Sequence, residues 1–342
     1  MLNQLLRRLI ITLQRHQNSS GPITFPTVSD AQLRTATIED AEVQAMMQPW
    51  IGMECFQLSR GRLVANIQSL DFGSCQIVRE TQYAAVQKIG VTPTNLCTLS
   101  FCTPAPGFRF SDHSGSSAGN VFLMPENTAF DIFVPAGAET VYVSLDQESL
   151  ISGARILNPR DWAEAPLHVT AFDTIPQASF GGMVTAWLAA ANKTATLGSP
   201  LDVQTIERNV FDALLQLIST STTDDFTPPA RWRSFQICRK AKTFIEEWND
   251  VEAQPGIVDL CAAVGVSART LQYAFRDYVG MSPVTYLRLW RLNRAHAALL
   301  EADTRSTSVT EVAMQFNFGH LGRFSGDYNR LFGEVPSITL AR

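Results

Sequence analysis

The last third of the sequence contains an internal repeat, which restricts the fold more than any other feature of the chain. Four positions match at an offset of 52 residues and four at 53; the pairs are Leu260 and Val312, Cys261 and Ala313, Val264 and Phe316, Gly265 and Asn317, Leu271 and Phe324, Phe275 and Tyr328, Gly280 and Gly333, and Pro283 and Pro336. Each copy has a short apolar segment, a tight turn and a second segment with apolar residues four apart. The repeat therefore predicts two helix-turn-helix units.

Residues around the repeat indicate where its helices begin. Ser267 is predicted to cap the second helix of the first copy, and Ser308-x-x-Glu311 forms a capping box before the first helix of the second copy. Ser282-Pro283 predicts the start of a long helix that runs to about Leu300 and joins the two copies. At ~1.5 Å per residue that helix spans roughly 27 Å, which approaches the ~34 Å turn of DNA. The two second helices are therefore expected to enter successive major grooves.

These segments resemble a known family. Asp259–Arg276, Gly280–Pro283, Arg291–Ala295 and Val312–Phe318 are similar to the DNA-binding domain of the AraC/XylS family of transcription regulators. The resemblance implies a cytoplasmic regulator, most commonly an activator. It also implies double-stranded promoter DNA, RNA polymerase and a small-molecule effector as partners.

Two further segments resemble one branch of that family. Gly319–Phe324 and Leu331–Leu340 look most like the activators of ethanolamine-utilisation operons. That likeness implies an amine effector, and adenosylcobalamin as a co-effector; otherwise no cofactor is expected. Because nothing in residues 1–230 identifies either ligand, a regulator of a different pathway that needs no effector is an alternative.

The second helix of the first copy is the first candidate DNA-reading element. Leu271 and Phe275 are four residues apart and are predicted to be buried, which turns the neighbouring polar positions outward. Those outward positions are Arg269, Gln272, Tyr273 and Arg276. Arg and Gln side chains can make paired hydrogen bonds to guanine and adenine. We therefore predict base contacts for the first three and a phosphate contact for Arg276, the alternative being an ordinary solvated face.

The second copy is less rich in basic residues. Phe324 and Tyr328 are predicted to point inward, and the outward positions are His320, Arg323 and Ser325. Many family members carry Arg or Lys where this chain has Gly326 and Asn329. We therefore expect mainly backbone contacts, with Arg323 and Arg330 as phosphate partners.

A stripe of arginines follows the connecting helix at every third residue: Arg288, Arg291 and Arg294. Such a stripe is more often a solvated or salt-bridged face. Of the three, Arg291 lies in the matched motif, and a phosphate contact is predicted there.

Charge is unevenly distributed along the chain. Residues 231–342 hold 14 Lys and Arg against 11 Asp and Glu, whereas residues 1–230 hold 13 against 21, which together give the formal net charge of −5. Architectural DNA proteins usually carry a strong positive charge because they neutralise many phosphates. The modest charge favours binding by base readout.

The N-terminal half is predicted to be rich in strands. Short β-branched and aromatic runs from about Cys55 to Val143 are separated by Pro and Gly, and helical spacing follows in 178–191 and 201–219. The predicted fold class is α+β, with a β-rich, cupin-like sensor domain with flanking helices and a C-terminal all-α tandem helix-turn-helix domain. The predicted boundaries are a tail and lead-in at 1–50, the sensor and dimerisation domain at 51–222, a linker at 223–231 and the DNA-binding domain at 232–342.

Aromatic residues in the strand region are candidates to line an effector pocket. The predicted set is Phe101, Phe110, Phe122 and Tyr142, although plain core positions are the alternative. Strand alternation puts Phe130 and Phe133 on opposite faces, so at most one of them faces a cavity. Arg109 and Asp131 are candidates to fix a polar or charged effector, and solvated surface is their alternative.

Residue types that carry catalysis or bind metals are sparse. The strand region contains one histidine, His113, so neither a metal site nor a catalytic residue is expected. The alternative is a metal-independent cupin-type enzyme fused to a DNA-binding domain.

Cysteines and apolar stretches bear on location and assembly. Six cysteines contain no Cys-x-x-Cys pair, which favours a reduced, cytoplasmic chain. The longest weakly polar stretch, Ser179–Ala191, is shorter than the roughly 20 residues of a membrane span. The apolar faces of 178–219 predict either a homodimer contact or burial within the chain.

Overall fold

The computed structural model describes residues 32–103, 107–111, 113–114, 120–173, 177–196, 202–220, 222–223, 229–248 and 255–342. The predicted tail before residue 32 and most of the predicted linker, residues 224–228, lie outside this set.

The N-terminal half contains the strands of the described residues. They are β1 (Gln32–Ile38), β2 (Gly52–Gln57), β3 (Ala65–Asp71), β4 (Cys75–Gln82), β5 (Val86–Val91), β6 (Leu96–Cys102), β7 (Arg109–Phe110), β8 (His113–Ser114), β9 (Asn120–Met124), β10 (Ala129–Val134), β11 (Glu139–Asp146), β12 (Thr170–Asp173) and β13 (Thr222–Thr223).

Helices flank the strands and form the C-terminal part. They are α1 (Ala41–Met46), α2 (Gln147–Leu157), α3 (Gln177–Thr196), α4 (Val203–Thr220), α5 (Pro229–Glu247), α6 (Ile257–Val264), α7 (Ala268–Tyr278), α8 (Pro283–Glu301), α9 (Val309–Gln315), α10 (Leu321–Phe332) and α11 (Pro336–Leu340).

The strands form two antiparallel sheets. One has the order β1-β3-β4-β11-β6-β9-β12-β13 and the other the order β2-β5-β10-β7-β8. A buried cluster that includes Ile67, Val78, Phe110 and Phe130 draws residues from both sheets. This architecture confirms the predicted β-rich domain. The strand β1 pairs with β3 from Gln32 opposite Asp71 onward, so part of the predicted lead-in belongs to the larger sheet.

Helices α3 and α4 pack with the larger sheet. Strand alternation sends Leu99 and Val143 into a second core that also contains Phe180, Val184 and Leu214 of these helices. The helices predicted at 178–191 and 201–219 are therefore present. Their apolar residues in this core are buried within the chain, which is the intramolecular alternative stated above.

The C-terminal part has the predicted repeat. Helices α6 and α7 form one helix-turn-helix unit, α9 and α10 form the other, and α8 connects them. The first turn contains Gly265 at φ 73°, a conformation that glycine adopts without strain. The side chains of Ser267 and Ser282 accept hydrogen bonds from the backbone N–H groups of Thr270 and Thr285, respectively. Each predicted helix start tested by these caps is confirmed.

Each helix-turn-helix unit has its own core, and α8 contributes to both. Tyr286 and Leu287 pack in the first core. Leu292 and Leu299, more than one and more than three turns beyond Leu287, pack in the second. The connecting helix is therefore a shared structural element that holds the two units together.

Candidate nucleic-acid interface and effector cavity

Helix α7 presents the predicted DNA-reading face to solvent. Its exposed side chains include Arg269, Gln272, Tyr273 and Arg276. Leu271 and Phe275 are fully buried on the opposite side. Since Ser267 caps the helix and apolar residues anchor its other face, these four side chains share a rigid support. Their outward orientation is confirmed, and their contact with DNA stays a prediction.

Helix α10 repeats this arrangement with fewer free cations. Its outward side chains are His320, Arg323 and Arg330, with Ser325 half-buried. Phe324 and Tyr328 are buried, as predicted. Arg330 forms a 3.1 Å ion pair with Asp327 on the same helix. Part of the positive charge predicted for phosphate contact is therefore already paired in the DNA-free chain.

A cleft of about 350 Å³ lies between the two helix-turn-helix units. It is lined by Gly256, Ile257, Val284, Leu287, Arg288, Arg291, Asn317, Phe318, Gly319, His320, Arg323 and Phe324. The pKa of Arg288 is lowered by partial burial and then by repulsion from Arg323 and Arg330. Arg288 was not among the residues predicted to contact DNA.

The arginine stripe of α8 divides among three environments. Arg288 forms an ion pair with Asp327 of the second unit. The Nη2 of Arg291 donates a 3.0 Å hydrogen bond to the Pro255 carbonyl, so its side chain is partly committed within the chain. Arg294 turns to the strand domain, where it pairs with Glu54 at 3.0 Å. Spacing alone could not separate these roles.

The strand domain contains a small internal cavity of about 40 Å³. It is lined by Gln48, Ile51, Met53, Lys88, Thr98, Ser100, Phe108, Phe110, Met124, Phe130, Ile132, Val134, Thr140 and Tyr142. Of the predicted effector residues, Phe110 and Tyr142 line it. Phe122 stacks on Phe110 with ring centroids 4.9 Å apart but is not part of the lining.

Phe101, also predicted to line an effector pocket, does not line this cavity. It lies in the core on the helical side of the larger sheet, next to Gly181, because alternation along β6 turns it away from the cavity. The same rule holds for β10, where Phe130 lines the cavity and Phe133 does not.

A buried charge network borders the cavity. Glu80 is fully buried and forms an ion pair with Lys88. The same carboxylate accepts hydrogen bonds from Gln48 Nε2 at 2.7 Å, Tyr142 OH at 3.1 Å and Thr140 Oγ1 at 3.2 Å. The pKa of Tyr142 is raised well above its usual value by burial and then by the Glu80 charge. The carboxylate is therefore satisfied from several directions.

A second charge network joins the strand domain to the first helix-turn-helix unit. Asp131 on β10 pairs with Arg109 at 3.0 Å and with Lys242 of α5 at 2.5 Å. Arg109 Nη1 donates to the Tyr278 carbonyl at the end of α7, at 2.9 Å. The Tyr278 hydroxyl donates to the Ser111 carbonyl at 2.6 Å. We call Arg109, Asp131, Lys242 and Tyr278 the interdomain clamp.

The clamp corrects the expectation for two of its members. Arg109 is 2% exposed, so it is neither solvated surface nor part of the cavity lining. Burial alone would raise the pKa of Asp131, but Lys242 and Arg109 hold it down at about 2. Both residues act in the contact between domains, and this contact has no local sequence pattern.

A third set of contacts joins the strand domain to α8 and the second helix-turn-helix unit. Gln57 and Asn293 exchange hydrogen bonds of 2.8 and 2.9 Å. Gln57 Nε2 also donates to the Leu331 carbonyl of α10 at 2.8 Å. His296 Nε2 lies 2.8 Å from Asp40 Oδ2, at the start of α1. Both units are therefore attached to the same β-rich domain.

Stability should depend on pH through Glu246 of α5. Its pKa is raised to about 7, mainly by burial and then by the Glu54 charge, which Arg294 and Lys242 partly oppose. The folded chain holds this proton more tightly than the unfolded chain, whose value is 4.5. The protonated Glu246 side chain therefore contributes to stability below pH 4.5, and this contribution is lost as the pH rises through 7. We expect a loss of about 1–3 kcal/mol between pH 5 and 8.

Urea unfolding at a series of pH values measures this contribution. Glu246→Gln should flatten the dependence and stabilise the chain most at pH 8. The exposed neighbour Glu247 supplies the control, since Glu247→Gln should leave the slope unchanged. Equal slopes for the wild type and Glu246→Gln would contradict the assignment.

Two features are absent from the described residues: a metal-binding cluster and a membrane-spanning helix. No group of three or more His, Cys, Asp or Glu side chains lies close enough to hold a metal ion. In the same residues, no helix combines the length and apolar character required to cross a membrane.

Comparison with known proteins identifies the C-terminal part. A helix-turn-helix domain model matches residues 260–342. The probable thc operon regulatory protein of Rhodococcus erythropolis is 41% identical over 84 residues, covering 25% of this chain and 25% of that protein. The XylDLEGF operon transcriptional activator 2 of Pseudomonas putida is 38% identical over 98 residues, covering 29% and 61%. The match thus spans less than two thirds of either relative.

A solved structure extends this result. The crystal structure of a probable AraC family transcriptional regulator from Rhodopseudomonas palustris CGA009 is 36% identical, and the match covers 31% of this chain and 95% of that one, with a TM-score of 0.28. The helix-turn-helix domain model and this 36% identity over 95% of the matched chain show that the chain belongs to the AraC family.

Proposed function

We propose that the β-rich domain binds a small-molecule effector and that its occupancy controls how the helix-turn-helix units engage promoter DNA. One observation carries this proposal. Phe110, Phe130 and Ile132 line the cavity, whereas Arg109 and Asp131, their neighbours in sequence, bind the DNA-binding domain. Since successive strand residues point to opposite faces, β7 and β10 form a wall between the two.

Helix α1 supplies a parallel connection to the second unit. Gln48, just after the helix, lines the cavity and donates to Glu80. Asp40, its N-cap, contacts His296 of α8. A ligand that moves this wall or this helix would have different affinities for two arrangements of the domains. That difference in affinity is the thermodynamic requirement for control by an effector.

The finer expectations remain predictions. The two relatives are an operon regulatory protein and an operon transcriptional activator by name, which supports activation as the working hypothesis here. Contact with RNA polymerase and control by ethanolamine with adenosylcobalamin are proposals that rest on the sequence resemblance. A homodimer is a proposal that rests on the apolar faces of residues 178–219.

Two arginine variants separate base readout from backbone contact. Arg269→Ala should weaken binding to the cognate duplex by about 5- to 100-fold and relax the preference at one base pair. Arg276→Ala should weaken binding to cognate and scrambled duplexes alike. It should also reduce by about 1 the slope of the logarithm of the binding constant against the logarithm of the salt concentration. Fluorescence anisotropy at several salt concentrations measures both.

Arg305→Ala is the matched control for these variants. Arg305 is exposed in the same domain but lies outside both DNA-reading helices. Its removal should change binding little and equally for all duplexes. If Arg269→Ala lost the same affinity on cognate and scrambled DNA, Arg269 would not be a base-reading residue.

Footprinting tests the proposed function as a whole. The promoter beside the chain's own gene is the first target, with candidate metabolites, ethanolamine and adenosylcobalamin included, added one at a time. We expect protection of two segments about one helical turn apart and a change in protection with one metabolite. The proposal of effector control would be rejected if protection were the same with every metabolite and with cavity-lining variants.

A further inference from the structure

We infer that the cavity of the β-rich domain takes a small uncharged molecule with an apolar body and one oxygen, and that it discriminates against organic anions and cations. This inference rests on the proposed function, because it assumes that the cavity is the effector site. It assigns a chemical class that follows from the charges and hydrogen bonds around the cavity.

The charge balance around the cavity is already complete. Lys88 is the basic residue that lines it, and its side chain forms an ion pair with buried Glu80. A carboxylate ligand would bring a second negative charge to this pair, and an ammonium ligand would bring a second positive charge. Either ion would lose its hydration without gaining an unpaired partner. The cavity therefore disfavours ligands of both signs.

Glu80 has little capacity left to bind an amine. Gln48, Thr140 and Tyr142 donate to its carboxylate in addition to Lys88. A ligand ammonium could reach Glu80 only by displacing Lys88, which would leave the lysine charge buried without a partner. This network opposes ethanolamine as the ligand of this cavity.

Ser100 supplies the free hydrogen-bonding group. Its side chain lines the cavity and is 8% exposed. Among the described residues it has no side-chain hydrogen-bond partner, whereas Thr98, its neighbour along β6, is bonded to Ser144 at 2.9 Å. Because this hydroxyl lines the cavity without a partner in the described residues, a ligand hydroxyl or carbonyl at Ser100 would gain a hydrogen bond. One polar group on the ligand is therefore sufficient.

The remaining walls select for an apolar body. They include the rings of Phe108, Phe110 and Phe130 and the side chains of Met124 and Ile132. At about 40 Å³ the cavity is smaller than the ~150 Å³ that holds a benzene ring. A ring-sized ligand must therefore displace part of the wall. Because β7 has two residues, Arg109 and Phe110, the displacement is expected there, next to the clamp.

A charge series on one molecular frame tests the class directly. Benzyl alcohol, benzoate and benzylamine are titrated into the full chain at pH 7 by calorimetry, with ethanolamine as a further cation. We expect benzyl alcohol to bind with a Kd on the order of 0.1–1 mM and each ion to bind at least about tenfold more weakly. Tighter binding of benzoate, benzylamine or ethanolamine would overturn the inference, and so would no binding of benzyl alcohol.

Two serine variants locate the site. Ser100→Ala should lower the affinity for benzyl alcohol by about 3- to 10-fold. Ser69→Ala is the matched control, since Ser69 is buried in strand β3 at 2% exposure but does not line the cavity. Equal affinities in the wild type and Ser100→Ala would reject Ser100 as the polar contact.

The binding assay and the footprint test two separate proposals, the ligand class and the effector control. If a charged metabolite changes the footprint and benzyl alcohol does not bind, the ligand class is wrong while effector control stands. If benzyl alcohol binds at Ser100 but no compound alters DNA protection, the ligand class stands and the proposed control is wrong.

Discussion

Asp131→Ala is expected to lower the free energy of unfolding by about 3–5 kcal/mol. The substitution removes the carboxylate that pairs with Arg109 and Lys242, whose side chains are 2% and 5% exposed. Two buried cations would then face each other without an intervening anion. Urea unfolding measures the loss, and hydrogen exchange should show faster opening at the end of α7, where Arg109 binds the Tyr278 carbonyl.

Asp277→Ala is the control for this variant. Asp277 lies next to Tyr278 on α7 but is exposed, so its loss should change stability by less than about 1 kcal/mol. The clamp would be energetically unimportant if Asp131→Ala were equally mild. The low pKa of Asp131 also predicts that the wild type loses this stabilisation as pH falls from about 4 towards 2, and Asp131→Ala should lack that acid-dependent loss.

The features predicted correctly from the sequence are those set by local chemistry. Ser267, Ser282 and Ser308 each cap a helix within three residues of themselves. Apolar residues four apart, such as Leu271 and Phe275, lie on one helix face and indicate that this face is buried. This holds irrespective of the surface against which the domain packs. The repeat and its outward side chains could therefore be predicted from residue spacing.

The clamp could not be predicted in this way. Arg109 and Tyr278 are 169 residues apart in sequence, and an arginine and an aspartate on neighbouring strands are usually solvated. Their burial depends on a surface of the DNA-binding domain that covers them. A local pattern carries no information about such a partner. The same reason explains why equal spacing did not predict three different environments for Arg288, Arg291 and Arg294.

The cavity was only partly predictable. Alternation correctly assigned Phe130 and Phe133 to opposite faces of β10. It could not tell which side of the larger sheet the helices would cover, and Phe101 therefore lies in the helical core rather than at the cavity. The aromatic candidates were visible in the sequence, whereas Glu80 and Lys88 were not, because a buried ion pair has no composition signal.

Glu80→Gln is the second variant with a large expected effect, a loss of about 3–5 kcal/mol. It keeps the size of the side chain but leaves the ammonium of Lys88 at 4% exposure without its counter-charge. It also introduces an amide N–H₂ where Gln48, Thr140 and Tyr142 all donate to an acceptor. The measurement is again unfolding in urea. The exposed pair Glu39 and Arg62 is the control, since Glu39→Gln should cost less than about 1 kcal/mol.

A double-mutant cycle decides whether the loss comes from the stranded charge. Lys88→Met in the Glu80→Gln background removes the second charge and should recover at least about half of the loss, because replacing both ions avoids an unpaired charge. The cycle also includes Lys88→Met alone. If the losses of stability in Glu80→Gln and Lys88→Met simply added up in the double variant, the two charges would not be coupled. Charge balance could then not be what excludes ions from the cavity. If stability were recovered, the cavity of the double variant should still bind benzyl alcohol. It should also still discriminate against benzoate and benzylamine, because either ion would enter a site with no free counter-charge.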